Sequence, residues 1–278
     1  MVQSFEKEFM EDNPRYAFMV KYMRKALEKE EVEWGDLTSL ALRRISEYIS
    51  DSVSGNTAHT YIAVFKAFLS HYVDEGIVPC KNPNKELKAK KLPSQHIALT
   101  EDEVMRLDAY KPWSQTEQDT IILFMRGCLT GARCSDAERM TMDNIVDGSL
   151  VYVSQKTKTE VVQPVHRLLP KYLEMQPAKK HLQASLNRTI QRICKNIGMT
   201  DEVRLFVGGR MQSGPRWQFV SMHTSRRTFC TNLALRGVPV EVISKLAGHS
   251  NSILTSSTYI VVDTKRLNDD AMAFYNAV

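Results

Sequence analysis

The chain has 278 residues, of which 43% are hydrophobic and 25% are charged. This composition is typical of a globular protein, and the length favours one large domain or two of ordinary size. The N-terminal stretch is too polar and acidic for a secretory signal, and no apolar run approaches the length of a membrane span. Composition therefore excludes an integral membrane protein and predicts a cytoplasmic one.

The five cysteines are scattered, and no Cys-x-x-Cys pair occurs among them. This pattern predicts reduced thiols and argues against a zinc site. The net charge of +5 is unevenly spread, because residues 81–91 hold five lysines against one glutamate. A polyanionic partner is compatible with this charge.

Residues 1–93 are predicted to form a bundle of helices. The first helix starts at Asn13 and Pro14, and a second covers LTSLALRRISEYIS. A third contains a stripe of apolar and aromatic residues and stops at Gly76. Beyond it the composition turns polar and Pro93 disfavours helix, so we place a domain boundary near residue 94.

The second domain, residues 94–278, is predicted to open with a capping box from Thr100 to Glu103. A strongly apolar helix follows and ends at Gly127 or Gly131, and Ser135 is predicted to cap the next short helix. The segments SLVYVS and EVVQPVH alternate as strands do and predict a β-hairpin joined by QKTKT.

The remainder of the second domain is predicted to be mainly helical. Two helices follow the hairpin, and the second closes at Gly198. The Gly- and Arg-rich segment FVGGRMQSGPRWQFVS is predicted to be a loop. Thr224 or Ser225 caps another helix, and Pro239 starts the one after it, which ends at Gly248. The predicted fold class is mainly α with a small antiparallel β-sheet (α+β).

Residues 221–259 concentrate the groups best suited to chemistry. His223 and Arg226 fall at a predicted helix N-terminus, where backbone N–H groups and the helix dipole favour an anion. His249 lies just past the next helix, and Tyr259 follows a Ser- and Thr-rich segment. A cationic set of donors beside a phenol indicates phosphoryl transfer.

Attack by Tyr259 on a phosphodiester sets three requirements. Forming a phenolate at neutral pH costs about 4 kcal/mol, since a free phenol has a pKa near 10. The non-bridging oxygens need fixed donors, and Arg133 and Arg226 are the candidates. The departing sugar hydroxyl needs a proton, which Lys156 on the hairpin is placed to supply, with Lys158 as its rival.

Five motifs in order resemble the tyrosine recombinases, the integrase family that includes phage integrases and Xer-type enzymes. The motifs are TGARCSD at 130–136, QKT at 155–157, HTSR at 223–226, LAGH at 246–249 and TY at 258–259. Each alone is a weak signal, and taken singly each residue is more often a cap, a surface ion pair or a core aromatic. Together they outweigh those interpretations.

The resemblance implies a role for each matched residue. Arg133 and Arg226 hold the scissile phosphate, Lys156 is general acid to the leaving 5′-oxygen, His223 shares proton transfer, His249 hydrogen-bonds the phosphate, and Tyr259 forms a 3′-phosphotyrosyl link. Asp136, where the family more often has Glu, supports the active-site arginine and histidine. The resemblance implies no metal ion and no nucleotide cofactor.

It also implies how the chain meets DNA. Residues 1–93 correspond to the helical core-binding (SAM-like) domain and residues 94–278 to the catalytic domain, together forming a clamp around double-stranded DNA. Backbone contacts are expected from the interdomain lysines, which are Lys85, Lys88, Lys90 and Lys91. The separate arm-binding domain of many phage integrases is expected to be absent.

The implied assembly is a homotetramer on two DNA sites that passes through a Holliday junction, with a monomer as the alternative without DNA. The C-terminal segment 267–278 is predicted to be a helix that docks on a neighbouring subunit. An Xer-like recombinase and an integrase of a mobile genetic element both remain open. Two other functions share the motifs: a type IB topoisomerase-like nicking and closing enzyme, and a DNA-binding regulator with a silent active site.

Overall fold

The computed structural model describes residues 4–249 and Thr255. The chain divides into two compact units. The first comprises Met1–Ser94 with Phe206–Gln212, and the second comprises Gln95–Leu205 with Ser213–Val278. The predicted fold class is confirmed, since helices dominate and the strands form two small antiparallel sheets. In the part of the chain that the structure describes, no helix is both long and apolar enough to cross a membrane.

The first unit contains five α-helices in its described N-terminal part. They are α1 (Phe5–Asp12), α2 (Met19–Leu27), α3 (Ser39–Ser52), α4 (Gly55–Val73) and α5 (Pro83–Glu86). The second and third predicted helices correspond to α3 and α4. The first prediction was wrong in its start, because Pro14–Tyr16 form a short 3-10 turn and α2 begins at Met19.

The core of this unit is aromatic. Phe5 and Phe9 of α1 meet Phe65 and Phe68 of α4, with ring centroids 5.1–6.1 Å apart, and all four side chains are buried. Edge-to-face contacts of this kind stabilise beyond the burial of apolar area alone. This packing explains why the polar-looking segment before Asn13 is helical: its two phenylalanines cover the inner face of α4.

The second unit surrounds a central helix with further helices and two β-hairpins. Its elements are α6 (Glu101–Ala109), α7 (Gln115–Thr130), α8 (Cys134–Ala137), β1 (Ile145–Val146), β2 (Ser149–Val153), β3 (Glu160–Pro164), α9 (Leu169–Glu174), α10 (Gln183–Asn196), β4 (Glu202–Val207), β5 (Arg210–Pro215), α11 (Thr224–Leu235) and α12 (Val240–Ala247). The capping box from Thr100 to Glu103 is confirmed by both of its hydrogen bonds. The tip of the β4–β5 hairpin, Phe206–Gln212, belongs to the first unit.

Helix α7 is the centre of the second unit, since 13 of its 16 residues are buried. Two glycines on one face let α11 approach closely. A Cβ on Gly127 would lie 2.2 Å from Ser225 Oγ, and one on Gly131 would lie 2.5 Å from the Phe229 ring. Gly131 also ends α7 with a φ of 67°, which favours glycine. This close packing carries the first turn of α11 next to the residues that follow α7.

The three-stranded sheet has the order β1-β2-β3, and its central pairing is confirmed as the predicted hairpin. Leu150 and Tyr152 point inward from β2, and Ser154 continues this alternation just past the strand end. The connecting loop is closed by two backbone hydrogen bonds. Ser154 N donates to Thr159 O, and Lys158 N donates to Ser154 O, both at 2.9 Å.

Three local predictions were wrong. The segment predicted as a loop forms the β4–β5 hairpin, in which Gly208 and Gly209 adopt positive φ at the turn that glycine pairs favour. Arg133 stands at the N-cap of α8, so Ser135 lies inside that helix. The predicted cap of α11, Thr224 or Ser225, was also wrong, since the N-cap is His223. The Thr224 hydroxyl instead accepts from Ser221 N in the preceding turn.

Candidate active site

Arg226 is the buried centre of the site, with only 1% of its surface exposed. Its Nη1 donates to Gly131 O at 2.7 Å, and its Nε donates to His249 Nε2 at 3.0 Å. A buried guanidinium needs such partners, because its charge has been removed from water. Since Gly131 lies two residues before Arg133, the first contact ties α11 to the loop that carries the second arginine.

His249 follows directly on Gly248, which ends α12 with a φ of 65°. The imidazole accepts from Arg226 through Nε2, so the proton lies on Nδ1, which donates to Thr255 Oγ1 at 2.7 Å. Burial, together with the charges of Arg226 and Arg133, lowers the pKa of His249 to about 3. The ring is therefore neutral at pH 7 and orients the Arg226 guanidinium.

His223 lies at the N-cap of α11, in the turn that also presents Arg226. Burial is the main cause that lowers its pKa to about 4, and the positive charges of Arg227, Arg226 and Arg133 add to the effect. A neutral imidazole beside these guanidiniums is able to accept a proton.

Arg133 approaches the same site from the loop after α7. Its Nη1 donates to Ser154 Oγ at 2.9 Å, and that hydroxyl donates to Asp136 Oδ2 at 3.1 Å. Asp136 Oδ1 accepts from Gln155 N at 2.9 Å and from Arg139 Nη2 at 3.3 Å. The carboxylate thus fixes the start of the β2–β3 loop against the arginine loop.

The structure brings together four of the predicted site residues, since Arg133 and Arg226 both act electrostatically on His223 and on His249. Lys156 and Lys158 are exposed on the loop that Asp136 and Ser154 hold in place. Tyr259 and the segment 267–278 lie outside the described residues. In the first unit the predicted DNA-contacting lysines are all exposed: Lys85, Lys88, Lys90 and Lys91.

Three residues beside the site were not predicted from the sequence to belong to it. Ser154 is signalled only by its place in the inward alternation of β2. Arg227 follows Arg226 directly, and its charge lowers the pKa of His223 and of His96. No pattern in the sequence predicts that His96 lies near His223. The chain close to His96 is held against α11, because Leu99 N donates to Thr228 Oγ1 at 3.0 Å.

A phenol also lies within the described part of the site. Tyr152 on β2 interacts electrostatically with Arg226, Asp136 and Arg133, but burial raises its pKa to about 12. Its phenolate is therefore harder to form than that of an ordinary tyrosine. Across residues 4–249, no group of three or more His, Cys, Asp or Glu side chains is arranged to hold a metal ion.

Two guanidiniums and two neutral imidazoles at one place can bind a phosphate and move a proton near it. Guanidinium forks match the geometry of phosphate oxygens, and neutral imidazoles donate or accept as the reaction requires. The arrangement fits phosphoryl transfer, as the sequence predicted.

Comparisons with known proteins agree with this chemistry. Residues 98–266 match the phage integrase family. Tyrosine recombinase XerC of Thermodesulfovibrio yellowstonii is 27% identical over 245 residues, which cover 80% of this chain and 77% of the relative.

Solved structures are similar in fold. A lambda integrase dimer (residues 75–356) bound to a COC′ core site has a TM-score of 0.65 at 16% identity, over 88% of this chain and 87% of that one. A lambda integrase tetramer bound to a Holliday junction has a TM-score of 0.63 at 17% identity, over 88% and 70% of the two chains. The predicted tyrosine recombinase class is confirmed, and the chain belongs to the phage integrase family.

Proposed function

We propose that this chain is a site-specific DNA recombinase that cuts and rejoins DNA strands through a 3′-phosphotyrosyl intermediate. One observation carries the proposal: Arg226, buried at the start of α11, contacts both His249 and the loop that leads to Arg133. These contacts join Arg226 to two other segments of the chain, one that ends at His249 and one that leads to Arg133.

Arg133 and Arg226 would hold the non-bridging oxygens of the scissile phosphate. Charge-assisted hydrogen bonds contribute about 1.5–3 kcal/mol each, and they strengthen as negative charge accumulates in the transition state. His249 holds one edge of the Arg226 guanidinium, so this donor is oriented before DNA arrives. His249 would then hydrogen-bond the phosphate after its Nε2 gains a proton or the ring shifts.

Tyr259 would attack the phosphorus and form a phosphotyrosyl bond to the 3′ end. His223 would share the transfer of the phenol proton, because its imidazole is neutral at pH 7. The bound phosphate brings negative charge to the site, which favours the protonated imidazole and moves its pKa back toward neutrality. Lys156 would donate a proton to the leaving 5′-oxygen, and a 5′-hydroxyl from another strand would later reverse these steps.

The helical residues 1–93 would bind the core DNA site, and residues 94–278 would carry out catalysis. The partner is double-stranded DNA, with Lys85, Lys88, Lys90 and Lys91 placed on its backbone. A homotetramer on paired sites is supported by the similar lambda integrase, which forms a tetramer on a Holliday junction. The recombinase relatives favour strand exchange over a topoisomerase-like enzyme or a silent regulator.

The first test is covalent capture on DNA. A nicked duplex that carries the target site loses its short 5′-hydroxyl fragment after cleavage, so religation is prevented and a protein–DNA adduct should accumulate. The adduct should form equally in EDTA, because side chains supply the positive charge in this proposal. Gel retardation under denaturing conditions measures it. A reaction that chelation stops would contradict the proposed mechanism.

The choice between Lys156 and Lys158 is tested with a substrate whose leaving 5′-oxygen is replaced by sulfur. A thiolate leaves without a proton, so the general acid becomes dispensable. Lys156→Ala should cleave ordinary DNA about 100-fold more slowly or worse and recover on the sulfur substrate. Lys158→Ala, in the same loop, is the matched control. Its cleavage rate relative to wild type should be the same on ordinary DNA and on the sulfur substrate. The reverse pattern would assign the role to Lys158.

A further inference from the structure

Ser154 occupies an unusual position between two parts of the site. Its side chain is 1% exposed, and it is the group through which Arg133 meets Asp136. The hydroxyl accepts from Arg133 Nη1 at 2.9 Å and donates to Asp136 Oδ2 at 3.1 Å. Arg133 and Asp136 form no direct ion pair in the described structure, so the hydroxyl relays the interaction between cation and carboxylate.

The backbone of the same residue closes the loop that carries both candidate lysines. Ser154 N donates to Thr159 O, and Ser154 O accepts from Lys158 N. The next residue is also held, because Gln155 N donates to Asp136 Oδ1 at 2.9 Å. One buried carboxylate therefore fixes the loop directly and aims Arg133 through the serine hydroxyl.

We propose that Ser154 is a positioning residue that aligns the Arg133 guanidinium with the lysine loop, so that the phosphate-binding group and the proton donor are set by one buried contact. The proposal rests on the function proposed above for this site. Arg133 is only partly buried, and its long side chain has many rotamers that this hydrogen bond restricts. Removing the hydroxyl frees the guanidinium and leaves Asp136 Oδ2 without that donor.

Ser154→Ala should slow adduct formation on the nicked duplex by about 10- to 100-fold, the range expected for one hydrogen bond to a charged group. DNA affinity, measured by fluorescence anisotropy, should stay within about threefold, since other contacts dominate binding. Ser154→Cys keeps nearly the same volume but hydrogen-bonds weakly, so it should also be slow. Thr159→Ala removes an exposed hydroxyl from the same loop and should react at the wild-type rate.

A rescue separates positioning from a general loss of folding. Glutamate at position 136 adds one methylene, about 1.5 Å, which extends the carboxylate into the space of the missing hydroxyl and toward Arg133. Asp136→Glu alone should be slow, because the hydroxyl is in the way, whereas the Ser154→Ala, Asp136→Glu double variant should be faster than either single variant. Coupling between two substitutions is expected of residues that are in contact or share a hydrogen-bond network, as Ser154 and Asp136 do.

The outcomes are distinct. A wild-type protein that forms no adduct overturns the proposed function itself. An active wild-type protein whose Ser154→Ala variant reacts at the same rate overturns the positioning role alone. A double variant no faster than Ser154→Ala also overturns it, because the serine would then act through folding and not by linking Arg133 to Asp136.

Discussion

Replacing Tyr259 with phenylalanine should abolish the covalent protein–DNA adduct while leaving DNA binding unchanged. The substitution removes one oxygen, the atom that would become bonded to phosphorus, and it alters neither charge nor the phosphate-binding arginines. The expected loss is complete within the detection limit of the assay, because phenylalanine has no oxygen with which to form the bond to phosphorus. Adduct formation on the nicked duplex is the measurement.

Tyr152→Phe is the matched control, because Tyr152 is the phenol that the described part of the site contains. Its pKa of about 12 means that forming its phenolate at pH 7 costs about 7 kcal/mol, compared with about 4 kcal/mol for an ordinary tyrosine. The side chain is also 7% exposed, so a DNA phosphate has little access to it. An adduct that survives Tyr259→Phe and is lost in Tyr152→Phe would move the nucleophile to β2.

Much of the site could be predicted from the sequence because its motifs sit at element ends. Gly131 and Gly248 end helices, and the residues just beyond them must lie at the tips of those helices. The hairpin was predictable from the alternation of β2 and β3. These signals are local in sequence, so they place Arg133 and His249 without knowledge of the tertiary structure.

The contacts between segments could not be predicted in this way. No local pattern indicates that α11 packs against Gly127 and Gly131. None indicates that Ser154 links Arg133 to Asp136. In each case the contacting segments are distant in sequence. Arg126 is a similar case within an apparently apolar helix. Its guanidinium is fully buried and donates to Tyr172 O at 2.9 Å and to Ala137 O at 2.7 Å, and burial lowers its pKa to about 10. Only the packed structure supplies such carbonyl partners.

Arg226→Ala is expected to have the second largest effect. Loss of one preorganised donor to a transition-state oxygen costs about 100- to 1,000-fold in rate. The effect should lie at the upper end, because this side chain also joins His249 to the loop before Arg133. Arg226→Lys should be faster than Arg226→Ala, since an ammonium restores the positive charge but cannot form the two parallel hydrogen bonds of a guanidinium. Single-turnover cleavage with saturating protein measures both variants.

Arg236→Ala is the control for removing an arginine from the same helix. Arg236 caps the C-terminal end of α11 and pairs with Glu101 at the surface. Exposed pairs of this kind contribute little to stability, so the variant should cleave at nearly the wild-type rate. A thermal melt of each protein checks that the Arg226 variants remain folded.

The most direct measurement compares wild type and Arg226→Ala on DNA with a neutral methylphosphonate at the scissile position. If the guanidinium stabilises the negative charge of that phosphate, a neutral phosphate should reduce the rate difference between the two proteins. The difference should fall from at least about 100-fold to about tenfold or less. If Arg226→Ala is impaired equally on charged and neutral substrates, Arg226 does not bind the scissile phosphate and the account of the site is wrong.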